Sequence, residues 1–182
     1  MLQEKTYEKK IMKYGWEALL GLWEAVKEGK TPGWKAGKAF EYLVIRAFQL
    51  DKADVRYPYS VRLDGDELEQ IDGVVYYDGI ACLIECKDQN TSINIEPIAK
   101  LRNQLLRRPG QVIGCVFSRE GFTAPAVTLA MFTAPQTILL WTGEEIDYCL
   151  RKHFICRALI SKYRNCIEKG LRDYNITVED IP

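Results

Sequence analysis

Two short apolar runs in this chain each carry charge at positions where burial should forbid it. The first is Gln70-Ile71-Asp72-Gly73-Val74-Val75 and the second is Leu83-Ile84-Glu85-Cys86-Lys87. Burying a charge is costly unless something neutralises it. Side chains two apart in a strand share a face, so Glu85 and Lys87 project together while Ile84 and Cys86 point the other way. Asp78-Gly79 lies between the runs and is a strong hairpin signal. Folded as a hairpin, the runs bring Asp72 beside Glu85. Two carboxylates and an ammonium on one patch suit a hard divalent cation and a phosphoryl group under attack.

The flanking sequence supplies helices to cover these strands. Residues 3–28 read as one helix with an apolar stripe of Ile11, Trp16, Leu19, Leu20, Trp23 and Val26, ended by Gly29 and Pro32-Gly33. A second helix over 35–50 repeats Phe40, Leu43, Val44, Ala47 and Phe48 at helical spacing. Strands are expected over 56–63, 69–77, 80–87, 111–117 and 137–141. Helices are expected over 97–107 and 125–132, and 144–170 reads as mostly helical. A β-meander followed by a β-α-β crossover makes an α/β protein with a mixed sheet covered by helices.

A chain of 182 residues has room for one ordinary core, and 47% apolar content argues against disorder. No apolar run approaches the roughly 20 residues that span a bilayer, so no membrane partner is expected. The polar start, Met1 to Lys10, is not a secretory signal, which points to the cytoplasm. The six cysteines include no CxxC pair and read as reduced thiols. Net charge is zero, but its distribution is uneven. Residues 64–88 hold eight acids and one base, 98–119 five bases and no acid, and 151–172 seven bases and one acid. An acidic centre between basic segments fits a metal site bordered by phosphate-binding surface; solvated helix faces would give the same pattern.

At these residues the chain resembles the PD-(D/E)XK nuclease superfamily, and within it the Mrr-type branch. Gly37-Lys38-Ala39-Phe40-Glu41-Tyr42-Leu43-Val44 is similar to the family's GxxFExxV helix. Ile71-Asp72-Gly73-Val74-Val75 corresponds to the metal-binding aspartate, Glu85-Cys86-Lys87 to the ExK element, and Gln104 to a glutamine often found in the next helix. Phe117-Ser118-Arg119-Glu120-Gly121-Phe122-Thr123-Ala124-Pro125-Ala126 is similar to the family's later strand-to-helix segment. The resemblance implies a restriction-endonuclease-like three-layer α-β-α sandwich. Its central mixed sheet would have about five strands in an α-β-β-β-α-β core. It divides a single domain into a helical extension (1–34), a nuclease core (35–150) and a C-terminal helical extension (151–182).

The same resemblance implies Mg²⁺, with Mn²⁺ as a substitute, held by Asp72, Glu85, the carbonyl of Cys86 and Glu41. Lys87 would orient the attacking water or stabilise charge on the phosphorane, and Gln104 would position the water or a phosphate oxygen. Lys38, Lys100, Arg102, Arg107 and Arg108 are the phosphate-contact candidates. The partner would be DNA, with a homodimer or a recognition protein supplying what no reader domain in the chain supplies. Plainer readings stand beside these. Asp72 has the alternative reading of a solvent-facing strand acid, Glu85 and Lys87 of a same-face salt pair, Glu41 of a helix-surface acid, and Gln104 of a helix former. Cys149, His153 and Cys156, with Cys166, are candidates for zinc or an iron–sulfur cluster, but three ligands on one helix make a poor tetrahedron. Core cysteines plus one histidine is the better reading. The leading function is a DNA endonuclease in restriction or defence; a junction-resolving or repair nuclease and a catalytically silent binding module are the alternatives.

Overall fold

The computed structural model describes residues 2–179; Met1 and residues 180–182, the end of the expected C-terminal extension, lie outside the described part. Three helices come first: α1 (Leu2–Ile11), α2 (Trp16–Lys27) and α3 (Lys38–Leu50). Five strands follow: β1 (Asp54–Arg56), β2 (Tyr59–Leu63), β3 (Asp66–Ile71), β4 (Gly73–Tyr77) and β5 (Ile80–Lys87). The chain then alternates through α4 (Glu96–Leu105), β6 (Ile113–Ser118), α5 (Ala124–Met131) and β7 (Ile138–Trp141). It closes with α6 (Gly143–Lys152), α7 (Ile155–Lys169) and a 3-10 turn, Ile176–Val178.

The central sheet has the order β1-β4-β5-β6-β7. Its first half is antiparallel and its second half, β5-β6-β7, is parallel. Alternation along β5 shows why both faces are covered. Cys82, Ile84 and Cys86 pack in a large core with α1, α2, α3, α6 and α7. Leu83 joins Ile98, Leu101 and Leu105 of α4 and Ala126 and Ala130 of α5 in a smaller core on the other side. The result is a three-layer α-β-α sandwich around a five-stranded mixed sheet, as the sequence led us to expect.

Four expected elements are divided. The single helix over 3–28 is two, because the chain turns at Met12–Gly15 and Gly15 takes an extended conformation as the N-cap of α2. The strand expected over 56–63 breaks at Pro58, which has no N–H to donate to a ladder. The strand expected over 69–77 breaks at Asp72. In both cases the chain changes sheets: β1 and β4 pair within the central sheet, whereas β2 and β3 form a separate two-stranded ribbon. The helical region 144–170 breaks at His153, which is left-handed (φ 60°). Cys149, His153 and Cys156 therefore do not share one helix. The three cysteines of that group are buried core residues, and exposed His153 stacks on Trp16 at 4.5 Å.

Candidate active site

The β4–β5 hairpin turns through Asp78 and Gly79, both at positive φ (48° and 79°), the geometry a two-residue hairpin loop demands. This turn fixes the register at Tyr77↔Ile80 and, at the far end, Gly73↔Ile84. Asp72, one residue beyond, belongs to neither ladder. β4 has ended before it could serve the Cys86 N–H, and the Asp72 side chain takes that donor: Cys86 N–H donates to Asp72 Oδ2 at 2.9 Å. Asp72 Oδ1 accepts no hydrogen bond among the described residues. The bend that ends β3 thus turns a strand residue into an acid aimed at β5.

Gly73 brings the third acid in. A Cβ there would lie 2.2 Å from Ile45 Cδ1 and 3.2 Å from the Arg56 carbonyl, so α3 packs against bare backbone. Glu41 is one turn before Ile45 on α3 and is buried beside Asp72. Its carboxyl is pushed up to about 7, first by burial and then by the charge of Asp72, with Glu85 adding to it. The Lys38 ammonium donates to Glu41 Oε2 at 2.5 Å and opposes the shift. Asp72 is raised by burial and by Glu85, while the Cys86 N–H, Lys100 and Lys87 pull the other way.

Glu85 is 0% exposed and is held by two ammonium groups. Lys87 lies 2.7 Å from Oε1. Lys100, from α4, donates to both oxygens, at 2.9 Å and 2.7 Å. Burial opposes the charge on Lys87, but Glu85 and Asp72 outweigh it and raise its pKa.

Structure and expectation part company over α4. Gln104 is buried but does not reach the carboxylates; its Nε2 donates to the Gln70 carbonyl at 3.0 Å and anchors the strand end that leads into Asp72. Lys100, assigned above to phosphate, is instead a member of the acid cluster. The signal was present in the sequence: Lys100 is one helical turn before Gln104 and so on the same face. Arg107 and Arg108 are both taken up by Glu69 of β3, Arg107 at 2.5 Å. Lys38 is bound to Glu41, and Arg102 is half-buried with Nε unpartnered among the described residues. Arg119 went unnoticed as a site residue. It donates to the carbonyls of Val26 (2.6 Å) and Gln89 (3.2 Å), pairs with Asp88 at 3.3 Å, and so ties the chain after Lys87 to α2. Its place in the strand-to-helix segment was the only hint.

Among the described residues, no three His, Cys, Asp or Glu side chains form a ready-made metal cage. The donor chemistry nonetheless fits Mg²⁺, which keeps several waters and is commonly held by only one or two carboxylates. Asp72 offers an oxygen with no donor, Glu85 one whose present partners are lysine ammonium groups, and every candidate donor is a hard oxygen.

Residues 35–150, well over half of the chain, match the Mrr_cat restriction endonuclease model. The chain belongs to the Mrr_cat restriction endonuclease family. A domain of this kind supports a nuclease function on DNA. Among solved structures, the small subunit of the heterodimeric restriction endonuclease R.BspD6I has a TM-score of 0.58 and 14% identity. That match covers 86% of this chain and 91% of the subunit. MspJI restriction endonuclease in complex with a 27-mer oligonucleotide gives 0.45 and 17%, over 86% of this chain and 36% of MspJI. No curated protein matches by sequence. No helix among the described residues is long and apolar enough to cross a membrane.

Proposed function

We propose that this chain is a Mg²⁺-dependent endonuclease that hydrolyses DNA phosphodiester bonds in restriction or defence, with Mn²⁺ able to substitute. The observation that carries the reading is the crowding of three buried carboxylates, Asp72, Glu85 and Glu41: burial and neighbouring charge push up Asp72 and Glu41 against the pull of the Cys86 N–H and the lysine ammonium groups. Such an arrangement is unfavourable for a protein with no cation to bind. Asp72 and Glu85 are the principal ligands, with Glu41 and the Cys86 carbonyl supporting them. The metal, when bound, supplies Lewis-acid polarisation of the phosphate and a more acidic water.

The rest falls to the protein. Lys87, fixed on β5 beside Glu85, presents an ammonium to the phosphate oxygens as negative charge grows there. Gln104 holds the Gln70 carbonyl and with it the bend that aims Asp72. Arg119 holds the segment following Lys87 in place. R.BspD6I is a heterodimer, and a partner protein or a second copy of this chain would likewise supply recognition and the second cut.

The test is cleavage of linear, supercoiled, methylated, branched and single-stranded DNA, and of RNA, with Mg²⁺, Mn²⁺ or chelator. Asp72→Asn and Lys87→Met proteins run alongside. Metal-dependent cutting of duplex DNA, lost in both variants, is expected. A preference for branched DNA would move the reading to a junction-resolving nuclease. Metal-free DNA binding without cutting on any substrate would make it a binding module.

A further inference from the structure

Resting on the metal-site reading above, we propose that Lys100 is a resident counter-ion. It occupies Glu85 in the metal-free protein, competes with the divalent cation for that carboxylate, and must withdraw for the site to load. Glu85 is fully buried and holds two ammonium groups, Lys87 and Lys100, whose charge Asp72 beside it shares. Lys100 lies across both of its oxygens, so a cation approaching Glu85 meets a lysine already in place.

Which lysine leaves is decided by position. Lys87 sits two residues from Glu85 on the same strand, with its side chain 29% exposed and its charge favoured by both Glu85 and Asp72. Lys100 reaches in from a different layer and its side chain is 43% exposed. Its flexible four-carbon stem can retract into water at little cost. Both lysines also face Asp72, so what separates them is their exposure and the layer each comes from. Withdrawal of Lys100 leaves Glu85 Oε2 without a donor while Lys87 keeps Oε1, and the incoming cation takes the place of Lys100.

A ligand that binds only the fraction of molecules in which Lys100 has withdrawn shows an apparent affinity reduced by that fraction. If Lys100 holds Glu85 in nine molecules of ten, removing it tightens binding about tenfold. The experiment is Mn²⁺ binding to the full chain without nucleic acid, followed by electron paramagnetic resonance and calorimetry, for wild type, Lys100→Met and Lys100→Arg. Thermal unfolding in chelator is recorded for the same proteins. Lys100→Met keeps the stem and loses the charge. It should bind Mn²⁺ about tenfold more tightly while melting lower in chelator and recovering with metal. Lys100→Arg keeps the charge and should bind no more tightly than wild type. A merely structural role would weaken metal binding in Lys100→Met, and that outcome, or an unchanged affinity beside normal wild-type binding, overturns the proposal. Absence of Mn²⁺ binding by every protein, wild type included, would instead overturn the metal-site reading and this inference with it.

Discussion

The protein buries charge in two places, and it does so differently. At the start of α6, Glu145 and Lys162 of α7 are both essentially inaccessible and lie 2.6 Å apart. Every polar atom of this pair is occupied. Glu145 accepts from the Thr142 and Ile176 N–H groups at 2.9 and 3.1 Å, closing a capping box on α6. Lys162 also donates to the Tyr174 carbonyl at 2.5 Å and sits over the Trp141 ring, 5.0 Å from its centroid. The acid cluster is the opposite case. Three carboxylates compete, and their ammonium partners are long side chains with one end in water. A charge buried for structure is matched and immobilised. A charge kept for binding is left in conflict that a ligand relieves.

Removing one partner should therefore hurt most at the structural pair. Lys162→Met strands Glu145 without its cation, and a loss of about 3–5 kcal/mol in unfolding free energy is expected. Denaturant titration checks this, and Glu145→Gln/Lys162→Met together should recover part of the loss. Lys87→Met, by contrast, leaves Glu85 with Lys100 and should cost far less stability. Equal losses at the two lysines would erase the distinction.

The next effect is on pH dependence. Glu41 binds its proton more tightly folded than unfolded, since its pKa rises from the ordinary glutamate value to about 7. Its contribution is thus fully present below the unfolded value near 4.5 and is lost as pH rises towards 7. In chelator, the protein should lose stability on the order of 2 kcal/mol across that window. Glu41→Gln should flatten the slope, and Mg²⁺ should restore stability at the upper end. Melting temperature against pH is the measurement; an unchanged slope in Glu41→Gln would remove Glu41 from the cluster.

The same contrast separates what the sequence made legible from what it did not. Asp78-Gly79 sets the hairpin and the hairpin sets the register, so Asp72 and Glu85 could be placed together from local signals alone. Glu41 was reachable only through the family pattern, because its approach depends on Gly73 admitting Ile45. The change of sheet at Pro58 and Asp72 was hidden, since a strand keeps its alternation whichever partner it pairs with. Lys100 was read as a phosphate contact because charge alone does not say which layer a helix face meets. Gln104 was placed on the right helix, but its bond to the Gln70 carbonyl depends on where the ribbon docks. The buried Glu145–Lys162 pair was invisible for the same reason: the two lie on separate helices, and the break at His153 that folds α7 back carries no Pro or Gly.

A smaller and oppositely signed effect is expected at the centre of the cluster. Asp72→Asn keeps an oxygen for the Cys86 N–H and removes a charge that Glu85 and Glu41 oppose. In chelator it should stabilise the protein by about 1 kcal/mol, while cleavage falls by about 100-fold or more. Calorimetry of the metal-free proteins beside a nicking assay reads both. A variant that is destabilised as well as inactive would mean that Asp72 is a structural acid like Glu145.

The smallest effect is expected where charge pairs at the surface. Arg107 reaches Glu69 at 2.5 Å, but its side chain is 56% exposed and Arg108 holds the other carboxylate oxygen. An exposed pair of this kind contributes about 0–1 kcal/mol and is screened by salt. Arg107→Ala should shift the unfolding midpoint by no more than that, and by less still at high ionic strength. Arg108→Ala, at the better buried end, should cost more. Both arginines strap the β2–β3 ribbon to the C-terminal end of α4, a few residues from the bend that aims Asp72. Loosening that strap should therefore be felt in cleavage before it is felt in stability. A fall in cleavage rate larger than its modest loss of stability accounts for is the expected signature of Arg108→Ala relative to Arg107→Ala. Equal rates for the two variants would mean that the Gln104–Gln70 bond alone fixes the bend.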